Sequence, residues 1–327
     1  MIKLSHLVFI LCFFITMPEV FAQRQMWQRE RDHIVFGLGA TGFMGDLGGS
    51  DKEGSQWIRD YDFQAMRPAF LLGYRYFVLE DVAVRGSLSF GYVAGSDNYS
   101  AEPYRSNRNI HFRSPLWELA AQGEYYFIRA YQMGARYRRV TRARGWLGYN
   151  FSAYAFIGVG GFYFNPQGYF EQANYSGTIP DENLPSDGWY NLRPLRTEGQ
   201  GYFSTRERYS NISVAVPFGI GTMFVINRQL SVGLEFGFRK TWTDYIDDVS
   251  RTYVDPAIYH EMFEGNPQKI ALAEYFSNPT NGTLGDNVTA PGQQRGNPHN
   301  DDSYMFYLIT IYYNVPQLRP SHGLPRF

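Results

Sequence analysis

Three groups of side chains have types and spacings that could carry chemistry. The first is Arg75, Arg85, Glu118, Glu124, Glu235 and Arg239. Each sits in an alternating stretch, on the side opposite the large apolar residues. Three cations and three anions gathered on one face of a sheet would either pair into a neutral plug or pass ions or protons. An isolated buried charge costs on the order of several kcal/mol, so pairing is expected. The second group is the acidic run with Asp244, Asp247, Asp248 and Asp255. Its oxygens are of the kind calcium takes, but the run lacks the DxDxDG spacing of a calcium loop. Tyr245 and Ile246 between the acids point to a folded loop rim. The third group is basic: Arg129, Arg136, Arg138, Arg139, Arg142 and Arg144 crowd one connection. Guanidinium forks suit a partner's carboxylates or the phosphates of lipid headgroups.

Enzyme signatures are missing from the rest. His33, His111, His260, His299 and His322 show neither HExxH nor HxxxH spacing, and no GxSxG elbow occurs. The glycine-rich Gly158–Phe164 stretch follows no βαβ unit and is not a nucleotide loop. No catalytic, cofactor-binding or metal-ligating residue is therefore expected. A formal net charge of −1 argues against nucleic acid as a partner.

The elements that must position these groups read as strands. Residues 1–22 form a secretory leader: Lys3, an apolar run from Leu7 to Met17, and Val20-Phe21-Ala22 before Gln23. The one cysteine, Cys12, falls inside that leader. A short segment, 23–33, precedes the first strand. Val82, Val84, Leu88, Phe90 and Tyr92 then alternate with Ala83, Arg85, Ser87, Ser89 and Gly91. The same period of two recurs at 34–43, 68–78, 117–127, 150–164, 212–225, 232–239 and 304–313. Pro217 inside the sixth strand predicts a bulge there. Connections after the odd strands are long and polar, whereas Leu79–Asp81 and Ile226–Leu230 are tight. Eight such strands predict an all-β, antiparallel, up-and-down transmembrane barrel over 34–314, with long external loops. Residues 315–327 would be a periplasmic tail. The rival reading is a secreted β-sandwich, which would not need strands of one uniform crossing length. The barrel places the chain in the cell outer membrane, in contact with its lipids.

Several ordered blocks resemble the PorG-like outer-membrane barrels of the Bacteroidota type IX secretion system. They are Gly160–Pro166 (GGFYFNP), Leu192–Gly201 (LRPLRTEGQG), Val216–Gly221 (VPFGIG), Phe238–Asp255 and Arg295–Pro298 with Asp301 and Asp302. The resemblance implies a non-catalytic accessory barrel beside a periplasmic ring of secretion subunits. On that reading Arg136, Arg138, Arg139, Arg142 and Arg144 would form the docking face, because the other periplasmic turns offer little surface. The alternative is an autonomous barrel that presents its loops for adhesion or ligand binding.

Overall fold

The computed structural model describes residues 31–47, 65–99, 102–129, 151–227 and 229–315. Their elements run β1 (Asp32–Met44), β2 (Arg67–Phe77), β3 (Val82–Ser96), the short helix α1 (Pro103–Arg108), β4 (His111–Ile128) and β5 (Phe151–Phe164). A small hairpin follows, β6 (Gln167–Phe170) and β7 (Gly188–Asn191), then β8 (Ile212–Val225) and β9 (Leu230–Thr241). Two helices, α2 (Ala257–Met262) and α3 (Pro267–Ser277), precede β10 (Ser303–Asn314).

Hydrogen bonding joins the long strands in the order β3-β2-β1-β10-β9-β8-β5-β4, and β4 pairs back onto β3. Every pairing is antiparallel. The seam between the first and last strands runs from His33 opposite Asn314 to Met44 opposite Ser303. The result is a closed eight-stranded barrel. Closure leaves no unpaired strand edge in the wall, which is what a bilayer demands of a β-structure.

Side chains alternate across this wall. On β3, Leu88 points out and is 44% exposed, whereas Ser87 points in and is 3% exposed. Phe36, Leu38, Leu72, Leu119, Val159, Val214, Leu234 and Ile309 extend the outward apolar band around the barrel. Aromatic rows flank it. Towards the external end Phe70, Phe90 and Trp117 lie side by side, with Phe90 and Trp117 centroids 4.4 Å apart. Towards the other end stand Tyr125, Phe127, and Phe151 against Phe224. Between these rows β4 spans the ~9–11 residues a tilted strand needs to cross the bilayer.

One expectation needs correction. Pro217 causes no bulge: β8 keeps a single register with β9 throughout, and its register with β5 is the same on both sides of the proline. Pairing with β5 simply lapses opposite Gly158 and Val159, so the missing donor is absorbed without an extra residue. The wall's irregularity falls instead between Tyr126 and Ile128 of β4. The long external loops are present, and in their described residues two of them carry packed structure of their own. The connections between β5 and β8 and between β9 and β10 fold into a cap with its own core, in which Phe170, Leu192, Leu195, Tyr259, Phe263, Ile270 and Phe276 pack together.

The cap is built on local signals that carry no period. Asn266 caps α3 by accepting from the Lys269 amide, and Pro267 occupies the first helical turn. Ile270, Ala271, Leu272, Ala273 and Phe276 are then buried all round that helix, so it shows no amphipathic stripe. Gly168 of β6 lies beneath Phe276, where any Cβ would collide with the ring.

Candidate functional site

Inside the barrel the structure brings the six charged residues together from four strands. Arg85 donates two parallel bonds to Glu235, at 2.6 and 2.8 Å, and its Nε lies 3.1 Å from Glu124. Arg75 lies 3.4 Å from the other oxygen of Glu124 and donates to the hydroxyl of Tyr126. Nearer the external end Arg239 pairs with Glu118 at 3.1 Å. Tyrosines complete the shells: Tyr126 donates to Glu124, Tyr154 to Glu235 and Tyr304 to Glu118. The Arg75 guanidinium rests 4.2 Å above the ring of Tyr312. All six charged side chains are at most 4% exposed. Three guanidinium groups and three carboxylates cancel, and Phe156, Phe162 and Phe306 fill the space around them. The network is a neutral plug that ties β2, β3, β4 and β9 across the lumen.

The cap holds a second polar assembly, in residues not singled out by the strand pattern. Arg108, at the end of α1, makes a bidentate pair with Asp97 at 2.7 and 2.8 Å. The same guanidinium donates to the carbonyls of Asp46 and Arg295. Arg295 is 2% exposed and donates to Glu198, to the carbonyl of Asp248 and to that of Phe276. Glu198 also accepts from the amides of Ser250 and Arg251. Two arginines thus lock together segments from all four external connections. Their own attraction to these partners holds both guanidinium groups further above the usual arginine range, against the opposing effect of burial.

Beside this clamp lies a set of acids on which few cations bear: the Arg108 charge reaches Asp46 and Asp247, and that of Arg105 reaches Asp46. Asp46, Asp244, Asp247 and Asp302 come from three places in the sequence, and among the described residues none is in an ion pair. Asp247 accepts from the amides of Leu47 and Val249, Asp302 from that of Ile246, and Asp46 from that of Asn297. Asp244 is 8% exposed, and neither of its oxygens has a hydrogen-bond donor. One oxygen of Asp302 is orphaned as well. Burial pushes Asp244 up to about 9, and the charges of Asp247, Asp46 and Glu198 add to it. The Ser250 hydroxyl tempers that shift without reaching hydrogen-bond geometry. Burial also drives Asp247 and Asp302 well above the carboxylate range. Asp248 is different: it is pushed up to about 6 by burial but accepts from Thr197 and Tyr209.

Over Asp46 and the Arg108–Arg295 clamp opens a cleft of about 960 Å³ on the external face. Tyr104, Arg105, Lys240, Gln294 and Asn300 line its walls. Amides, cations and an aromatic side chain around a polar floor suit a hydrophilic ligand.

The basic connection is another matter. Arg136, Arg138, Arg139, Arg142 and Arg144 lie outside the described residues, as do the leader and the tail after Val315. Only Arg129 is described; it lies 4.0 Å from Asp81 and over the ring of Phe77. Among the described residues, the rim of that end is otherwise made of the two tight turns.

No family model and no curated protein matches the chain. Among solved structures it is similar to Ail, the attachment invasion locus protein of Yersinia pestis, in complex with the heparin analogue sucrose octasulfate. Identity is 10% and the TM-score 0.34, over 87% of this chain and 98% of that one. Neisserial surface protein A matches at 7% identity and a TM-score of 0.33, over 87% and 97% of the two chains. A monoaromatic hydrocarbon channel, TodX, matches at 11% and 0.24, over 65% and 48%. Placement of this chain as a small outer-membrane β-barrel rests on its closed register and outward apolar band, not on these scores.

Proposed function

We propose that the barrel is a non-catalytic outer-membrane anchor and that its external cap is a recognition surface for a hydrophilic ligand outside the cell. One observation carries this reading. Segments of the four external connections are clamped by Arg108 and Arg295 beside a core that two of them supply, with an open polar cleft above, whereas paired charges meet inside the barrel. A rigid cap lowers the ordering cost of binding, which free loops would have to meet at each encounter. The purified protein in nanodiscs, applied to a printed panel of glycans and matrix proteins, tests it. Gln294→Trp with Asn300→Trp fills the cleft from exposed positions and should abolish whatever binding the parent shows. Undiminished binding by that variant would place recognition elsewhere.

The secretion reading belongs here as a second proposal. The blocks shared with PorG-like barrels support it, and so does the arginine run itself, whose forks suit carboxylates of a periplasmic ring. It needs a docking face at the opposite end from the cap, and Arg136, Arg138, Arg139, Arg142 and Arg144 are the residues it would use.

A further inference from the structure

We propose that the external cleft binds an uncharged oligosaccharide, with its hydroxyls on side-chain amides and one ring face on Tyr104; this rests on the reading of that cleft as the recognition surface. The charges of the cleft are already matched to one another. Arg108 pairs with Asp97 at 2.7 Å, Arg295 with Glu198 at 2.9 Å and Lys240 with Asp301 at 3.2 Å. Arg105 is engaged as well, and its charge reaches Asp46. Each arginine and lysine that lines the cleft thus has a partner within the protein. A sulfate, phosphate or carboxylate on a ligand would have to displace Asp97 from Arg108 or Glu198 from Arg295, and both acids are buried. Breaking such a pair strands the displaced carboxylate, so an anion gains little there.

What a ligand meets instead is uncharged. Asn287, Gln293, Gln294 and Asn300 line the cleft from exposed positions, and among the described residues their side-chain amides make no hydrogen bond. Each primary amide offers two N–H donors and a carbonyl acceptor. A hydroxyl both donates and accepts, so amides match a polyol, where guanidinium groups, with donors only, match an anion. Tyr104 supplies the apolar part. It is 61% exposed, and α1, which carries it, is pinned by the bidentate pair of Arg108 with Asp97. The ring is therefore in place before a ligand arrives. The C–H face of a pyranose can lie on such a ring while the hydroxyls around its edge reach the amides. The four amides stand on the connection between β9 and β10 and Tyr104 on that between β3 and β4, so the ligand would bridge two loops. The cleft's volume of about 960 Å³ is at the top of the ~300–1,000 Å³ usual for small-molecule sites, which gives room for a short chain of sugar rings.

The test uses the full-length protein in nanodiscs on a printed panel of matrix proteins and neutral oligosaccharides, each sugar beside its sulfated and sialylated forms. The cleft-filling pair Gln294→Trp and Asn300→Trp is run alongside the parent. Binding that the filled cleft loses should fall on neutral sugars, and an added sulfate or carboxylate should not strengthen it. Raising salt from about 50 to about 500 mM should change the affinity for a neutral sugar less than about twofold, because no charge pair is screened. Tyr104→Ala should weaken that affinity at least about tenfold, and Tyr104→Phe, which keeps the ring, less than about threefold. Heat-modifiable mobility shows that both variants are folded. If the binding lost on filling the cleft is to anionic sugars or to proteins, the saccharide assignment is overturned while the cleft stays the recognition surface. Neutral-sugar binding that survives Tyr104→Ala in the folded variant overturns it too. If filling the cleft costs no binding at all, the recognition reading itself falls, and this assignment with it.

Discussion

At the scale of single residues the lumen is decided by Arg85. Among the described residues it alone touches both Glu124 and Glu235, and the side-chain accessibility of all three is at most 1%. Arg85→Ala would leave two carboxylates buried with too few partners, at a cost on the order of 3–5 kcal/mol. Replacing Arg85 and Glu235 together by Met and Leu removes both members of the bidentate pair and should recover most of that loss. Urea titration followed by heat-modifiable mobility on gels reads the difference. If the single variant is as stable as the parent, the network is not what holds the strands together. These six charges were legible in the sequence because each occupies a polar position in a strict alternation, which fixes the face as soon as the strand is recognised. Arg108 and Arg295 were not legible in this way. They lie in segments without a period, and their partners are backbone carbonyls and acids more than ten residues away.

At the scale of elements the contrast is between strands and cap. Barrel strands have one lipid face and one interior face, so their sequence must alternate, and their faces could be read directly. The outer ends could not, since β3 runs on to Ser96 and β4 begins at His111, six residues before the alternation from Trp117. The bulge went astray because proline's missing donor can be absorbed by a short lapse in pairing. The cap segments are rich in Asn, Gly and Asp, which reads as loop. Their order comes from a few scattered aromatics that meet only in three dimensions. Phe276 of α3 is the test case: it packs with Phe170 and Tyr275 and lies over Gly168. Phe276→Ala should cost the cap about 3–5 kcal/mol. Because the cap core is separate from the lumen core, the loss should appear as new protease cleavage within the external connections while the barrel keeps its heat-modifiable mobility. A barrel that unfolds together with its cap would show that the two cores form one cooperative unit.

At the scale of the whole molecule the chain divides into a neutral, filled wall and an external cap with its charges arranged around a cleft. The wall's apolar band faces the outer membrane's lipids and its interior charges are paired with one another, so both are already engaged. Secretion docking and external recognition would act at opposite ends of the barrel, which makes them separable in one assay. Cells carrying either the cleft-filling pair Gln294→Trp and Asn300→Trp, or serine at Arg136, Arg138, Arg139 and Arg142, are compared with the parent. Binding of intact cells to the ligand panel and export of type IX cargo are measured side by side. The cap account predicts that the cleft variant loses binding and exports normally, while the arginine variant keeps its binding. Normal binding by the cleft variant, with export lost only in the arginine variant, would contradict it and put the working face on the periplasmic side.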